Sequence, residues 1–263
     1  MSAYTQVAKQ SFMLSIAYNS VSFVWMAIAI LELLIPLAIW YSATPINGSF
    51  GSFSREQLLA YYGLMAIIGN LTFWWLHFQI SDLVRYGDLS NILVKPVSVL
   101  RYLIAHQLGD KVFSLIIRLP LFIALIYFFG KYFPSNILSY LPLVTLSVLL
   151  GGAIYLLINI LFGLLSFWLT DLGGFIGLYF FTAYILSGEL APIAFYPHWF
   201  QYLAYYLPYR YILSFPIEII LQKLSGTEMV IGFITQLLWL GLLYLGVRIF
   251  WKKSLIRYQA YGK

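Results

Sequence analysis

Between positions 81 and 111 the chain reads SDLVRYGDLSNILVKPVSVLRYLIAHQLGDK, and Asp82, Arg85, Asp88, Lys95, Arg101, Asp110 and Lys111 all fall inside it. Strongly apolar runs flank this stretch on both sides. Gly87 precedes Asp88, and aspartate is a strong helix N-cap. Lys95-Pro96 ends a helix, because the residue before proline is pushed out of the α region. A short helix over 89–94 is therefore expected, with Leu89, Ile92 and Leu93 at i, i+3 and i+4 on one apolar face. A helix of two turns does not persist alone in water, so that face has to be buried. It either folds back on its own protein or fills a groove on a soluble partner, and the spacing leaves both open.

Charges inside the apolar runs are the second place where chemistry is expected. Glu32 sits about half-way along the first run, where an ionised carboxylate costs about 3 kcal/mol or more. It has to face other helices, find a partner or hold a proton. Arg118 lies seven residues beyond Lys111, a rise of about 10 Å along a helix. It can pair with Glu32 or snorkel to the cytosolic headgroups. Asn70 and Asn159 are the alternative hydrogen-bond partners of Glu32. Glu189 opens a later proline-marked segment and faces either a path exit or water. Glu32, Asn70, Asn159 and Glu189 are thus the candidates for lining a substrate path.

Catalytic and metal chemistry find no such support. His77, His106 and His198 are far apart in the chain, so no metal site is expected. No H-E-x-x-H, G-x-S-x-G or paired-aspartate lipid-transferase motif occurs. The lone Gly130-Lys131 lacks the upstream glycine and the Ser/Thr of a phosphate-binding loop, so the chain is not expected to bind ATP by that mechanism. With no cysteine, disulfides and thiolate ligands are excluded.

The elements that must position these residues follow from composition. Of 263 residues 62% are hydrophobic and 9% charged, against about 25% charged in soluble domains. With a mean hydropathy of +0.87, this is the signature of a polytopic, all-α membrane protein. The net charge of +6 is spread over loops rather than clustered, so nucleic acid is not the expected partner and membrane lipids are. Six spans are expected at 21–41, 58–80, 112–129, 141–165, from about 175 to 186, and 229–250. A turn over 170–174 joins the fourth and fifth. Residues 1–19 read as an amphipathic helix in the headgroup plane, with Thr5, Gln6, Lys9 and Gln10 on one face and Tyr4, Val7, Ala8 and Phe12 on the other. The apolar run that follows is too long for a signal-peptide core and lacks an A-x-A site, so the N-terminus is expected to be retained. Residues 187–227 form a proline-marked, aromatic segment, and 251–263 a basic tail. The aromatic excess is of the kind that gathers at bilayer interfaces.

Six spans put both termini on one side. That side holds Lys9, Arg85, Lys95, Arg101, Lys111, Arg248, Lys252, Lys253, Arg257 and Lys263, and the other Arg55, Lys131, Arg210 and Lys223. Ten against four favours cytosolic termini and a cytosolic 81–111 segment.

The pattern Val84-Arg85-x-Gly87-x-Leu89-x-x-x-Leu93-x-Lys95-Pro96 resembles the cytosolic motif of ATP-binding-cassette transporter permeases of the type-2 exporter class. More narrowly, it resembles the bacterial six-span branch with an Arg-x-Gly…Leu-x-Lys/Arg-Pro segment between spans two and three. Ser187-Gly188-Glu189-Leu190-Ala191-Pro192, Tyr196-Pro197-His198-Trp199 and Leu207-Pro208-Tyr209-Arg210 resemble, less specifically, that class's outer segment. The resemblance implies a coupling helix over 88–95 that docks into a cytosolic ATPase subunit, with Arg85, Gly87, Asp88, Leu89, Ile92, Leu93, Lys95 and Pro96 as its contacts. It also implies re-entrant outer helices within 187–227, and a pump of two permeases, identical or paralogous, and two ATPases. ATP and Mg would then be bound by the partner, and the location would be the bacterial inner membrane. Importer permease signatures are missing. The alternatives are an ion-coupled secondary transporter using Glu32, which an inverted repeat would favour, and a non-transporting scaffold.

Overall fold

The computed structural model describes residues 2–17, 19–46, 48–169 and 172–258. Of the described residues 81% are helical. In chain order the helices are α1 (Ala3–Ala17), α2 (Asn19–Ala43), α3 (Arg55–Thr72), α4 (Leu76–Arg85), α5 (Leu89–Leu93), α6 (Val99–Phe129), α7 (Ile137–Leu164), α8 (Gly173–Leu186), α9 (His198–Tyr206), α10 (Ser214–Ile220) and α11 (Gly226–Arg257). Parts of the 170–174 turn and of the 251–263 tail, including Lys263, lie outside the described residues.

Among the described residues five segments are long and apolar enough to cross a bilayer: Val24–Ala43, Arg55–Arg85, Val99–Tyr132, Ile137–Phe167 and Gly226–Arg257. The fifth expected span corresponds to the shorter α8. A two-stranded hairpin, β1 (Ser49–Phe50) and β2 (Phe53–Ser54), precedes α3. Capping boxes start the helices at this end, Ser54 with Gln57 on α3 and Ser225 with Glu228 on α11, each satisfying two orphan donors. Lys223 Nζ ties the two starts together by donating to the Ser52 carbonyl at 2.6 Å and Gln57 Oε1 at 2.7 Å.

Two apolar clusters fill the bundle. The larger packs α3, α7 and α10 around Tyr61, Tyr62, Ile154 and Phe215. Its depth depends on small residues where helices meet. A methyl on Gly151 would press on the Tyr211 carbonyl at 2.7 Å, and one on Gly232 would overlap the Phe215 ring. The smaller cluster lies at the α5 end and joins Leu76 and Ile80 of α4, Val99 and Leu103 of α6, Ile160 and Leu164 of α7, and Val247 of α11.

Three expectations change. The charged stretch 81–111 is mostly helix: α4 runs on to Arg85 and α6 begins at Val99, leaving 86–94 and the link to Ser98 between them. Charge misplaced the border because α6, 31 residues and about 46 Å long, outruns the roughly 30 Å hydrocarbon core. The second span is not continuous, since Phe73, Trp74 and Trp75 leave the helix between α3 and α4. Finally, α1 does not simply lie at a surface. Tyr4, Val7, Ala8, Ser11, Phe12 and Ser15 form its inward face, with Ser11 fully buried. That face seats on α6 at Gly109, where any side chain would overlap the Ala8 carbonyl.

Candidate functional site

The residues around α5 build a projecting turn on a buried base. Gly87 has φ +75°, a left-handed value that costs glycine nothing and other residues much. Asp88 occupies the position before the helix but does not cap it: its backbone is already helical and its side chain makes no capping bond. Its Oδ1 instead accepts a weak 3.4 Å hydrogen bond from Asn91 Nδ2, while Ser90 Oγ donates to the Gly87 carbonyl at 2.8 Å. The N-cap expectation failed because the turn at Gly87 enters the helix already coiled.

The apolar face is split. Leu89 and Ile92 are 2% and 6% exposed within the chain's own smaller cluster. Leu93 and Val94 are 40% and 84% exposed. Arg85, Asp88, Lys95 and Pro96 are exposed around them. The Arg85 guanidinium lies 5.9 Å from the Tyr86 ring and Lys95 Nζ 5.7 Å from the Tyr102 ring. The projecting apolar pair is thus Leu93 with Val94, the latter missed because it falls past the i, i+3, i+4 stripe.

Behind this turn, polar groups bracket α6. Asp110 accepts hydrogen bonds from Ser11 Oγ and from Ser15 Oγ at 2.8 Å, and lies 3.4 Å from His106 Nδ1. Gln79 Nε2 is 3.0 Å from the same His106 nitrogen. One residue on from Asp110 and from His106, Lys111 Nζ donates to the Phe73 carbonyl at 2.9 Å and lies 4.3 Å from the Trp74 ring, while Gln107 Oε1 accepts from the Trp75 N–H at 3.2 Å. Breaking a helix at membrane depth frees backbone groups that need partners, and Gln107 and Lys111, one turn apart on α6, supply them. Lys111 is therefore an internal support of span two rather than a loop cation.

The four candidate path residues are not brought together. Asn159 is fully buried, with Oδ1 2.5 Å from His77 Nδ1 and Nδ2 donating to the Tyr155 carbonyl and Tyr179 Oη at 3.0 Å each. His77, ringed by Phe78, Phe162, Tyr179 and Phe180, joins α4 to α7 and α8. Asn70 Nδ2 donates to the Ala66 carbonyl of its own helix at 2.8 Å. Neither asparagine bonds Glu32, because each has a nearer backbone or side-chain partner. Glu32 is exposed on α2, and the charges it senses are those of Arg118 and, toward the hairpin end, Glu189. Glu189 is half-buried, three residues past the end of α8.

The segment 187–227 is anchored from several sides. Tyr61 Oη donates to the Gly188 carbonyl at 2.7 Å, and Tyr62 Oη and Trp40 Nε1 donate to the Leu190 carbonyl at 3.0 and 2.8 Å. Arg210 and Glu218, both buried, form an ion pair, with the guanidinium 4.0 Å from the Tyr205 ring. All of α10 is buried. By contrast α9 exposes Trp199, Tyr202 and Tyr206.

Among the described residues no group of three or more His, Cys, Asp or Glu is placed to hold a metal ion. A family model described as ABC-2 family transporter protein matches residues 12–262 of the chain. No curated protein matches it.

Proposed function

This chain belongs to the ABC-2 family of transporter proteins, multi-pass membrane components of ATP-binding-cassette transporters, and from that premise we propose that it is the permease subunit of an ATP-driven exporter, moved by separate cytosolic ATPases. The observation that carries the reading is the split face of α5. Leu93 and Val94 project with Arg85, Asp88, Lys95 and Pro96, while Leu89 and Ile92 root the same helix among α4, α6, α7 and α11. A partner that grips the exposed pair pushes the buried one, and close-packed interiors transmit such displacements rather than absorbing them.

In this reading the chain crosses the inner membrane six times with both termini cytosolic. The α8 helix, 14 residues and about 21 Å long, makes the fifth crossing, completed by the backbone after Leu186. The outer segment, with α9 and α10, is re-entrant and closes the path on the far side. ATP and Mg bind the ATPase subunits, and closure of their dimer moves the two α5 helices of a permease pair. Glu32, exposed on α2 and sensing Arg118, faces the path between permeases, with Glu189 nearer the exit. Asn159, and with it His77 and Tyr179, hold the bundle together.

The test is retention of the ATPase. With Leu93→Asp and Val94→Asp combined, the detergent-solubilised permease is expected to insert normally and to lose at least tenfold of the ATPase that co-purifies with the unaltered chain. Undiminished ATPase retention in that variant overturns the assignment of α5.

A further inference from the structure

The turn that carries α5 is held at both ends by tyrosines from opposite ends of the chain. At its start, Tyr258 Oη donates to the Gly87 carbonyl at 3.0 Å. Tyr258 directly follows α11, and its backbone N–H donates to the Ser254 carbonyl at 2.9 Å, so it continues the last turn of that helix. Its ring packs edge-on against Phe167 at 5.9 Å. At the other end, Tyr4 Oη accepts from the Ser98 N–H at 3.1 Å. Ser98 is the residue from which α6 starts, and Tyr4 belongs to α1, seated along α6 through Gly109 and the Ser11 and Ser15 bonds to Asp110.

The apolar base of α5 resists displacement, but dispersion and apolar burial are non-directional and leave the direction in which its two ends move unspecified. Two hydrogen bonds to backbone atoms at opposite ends remove that freedom. Both accept or donate at main-chain groups, so they act whatever side chains the turn carries. Gly87 is the point where the backbone takes its left-handed turn, so its carbonyl is also the place where the turn would otherwise pivot.

We propose that Tyr258 and Tyr4 are positioning residues that clamp the two ends of the α5 turn, so that a push on α5 is delivered to α11 through Gly87 and to α1 and α6 through Ser98. The proposal rests on the coupling reading of α5. It separates the displacement into two routes, each with its own tyrosine.

Hydrogen exchange on the complex of the full chain with the ATPase that co-purifies with it tests both. Exchange is compared without nucleotide and after trapping with MgATP and vanadate. In the unaltered complex, trapping is expected to change exchange at 86–98 and also at the α5-end segments of α1, α6 and α11. Tyr258→Phe keeps the ATPase bound and keeps the change at 86–98, but lowers the change over 250–258 at least threefold and leaves that in α1 intact. Tyr4→Phe does the reverse. The clamp is overturned if either variant leaves every trapping-induced change at its unaltered size, or if both variants lose the same changes. Absence of any change at 86–98 in the unaltered complex, or failure of an ATPase to co-purify, instead removes the coupling reading itself and the clamp with it.

Discussion

At the residue scale, the most exacting contact in the molecule is the buried pair of Arg210 and Glu218. Arg210 follows the Leu207-Pro208 turn and Glu218 sits in α10, so the pair pins the outer segment into the core. Removing one partner of a buried pair strands the other charge, which costs about 3–5 kcal/mol, whereas replacing both by apolar side chains is often neutral. Arg210→Met is therefore expected to lower the thermal unfolding temperature of the solubilised protein strongly, and Arg210→Met with Glu218→Leu to recover most of the loss. A double variant no more stable than the single one would show that the charges themselves are required. The sequence showed Arg210 as one of four basic residues on the minority side, but its partner was out of reach of pattern reading. The seven residues between them include a turn and a helix start, so no helical spacing relates them.

At the element scale, legibility followed the physics of each segment. Spans one, four and six were expected because long, nearly uncharged runs have one stable solution in a bilayer, and α2, α7 and α11 are helices long and apolar enough for them, with borders moved by up to seven residues. The break in span two was not readable. Phe73-Trp74-Trp75 contains neither proline nor glycine, and what stabilises the break, Gln107 and Lys111, lies on α6. For the same reason Lys111 looked like a loop charge. In α5 the stop before Lys95-Pro96 was legible, because it is a local backbone constraint, whereas the start at Gly87-Asp88 was placed rightly but on account of a cap that Asp88 does not make. The split of its apolar face was not legible, since a five-residue helix presents too short a stripe to say which side is in. The amphipathic pattern of α1 was correct in its residues, and its apolar face found α6 rather than lipid alone. That contact makes a prediction at this scale. Gly109→Val forces α1 off α6, with an overpacking cost of about 1–3 kcal/mol. Limited proteolysis is expected to cut within 3–17 much faster in this variant while 137–258 stays protected. Equal cleavage of the two proteins would contradict the seating of α1 on α6.

At the scale of the whole molecule, the chain divides its work between two ends of one bundle. One end is built for rigidity, with α10 buried, two capping boxes and the Lys223 ties. The other carries α5 among four helices, α4, α6, α7 and α11, with α1 and the residue after α11 reaching its turn through Tyr4 and Tyr258. The proposed function calls for separate ATPase subunits, since no G-x-x-x-x-G-K-[ST] phosphate-binding loop occurs in the sequence. We propose that the 30.2 kDa chain works as a permease pair driven by ATPase subunits. Native mass spectrometry of the protein extracted from its own membrane addresses that claim most directly. The account predicts a particle holding two permease chains, of this kind or one of this and one paralogue, and two ATPase chains. A chain that runs alone, or only with copies of itself, under conditions that preserve membrane complexes would contradict it.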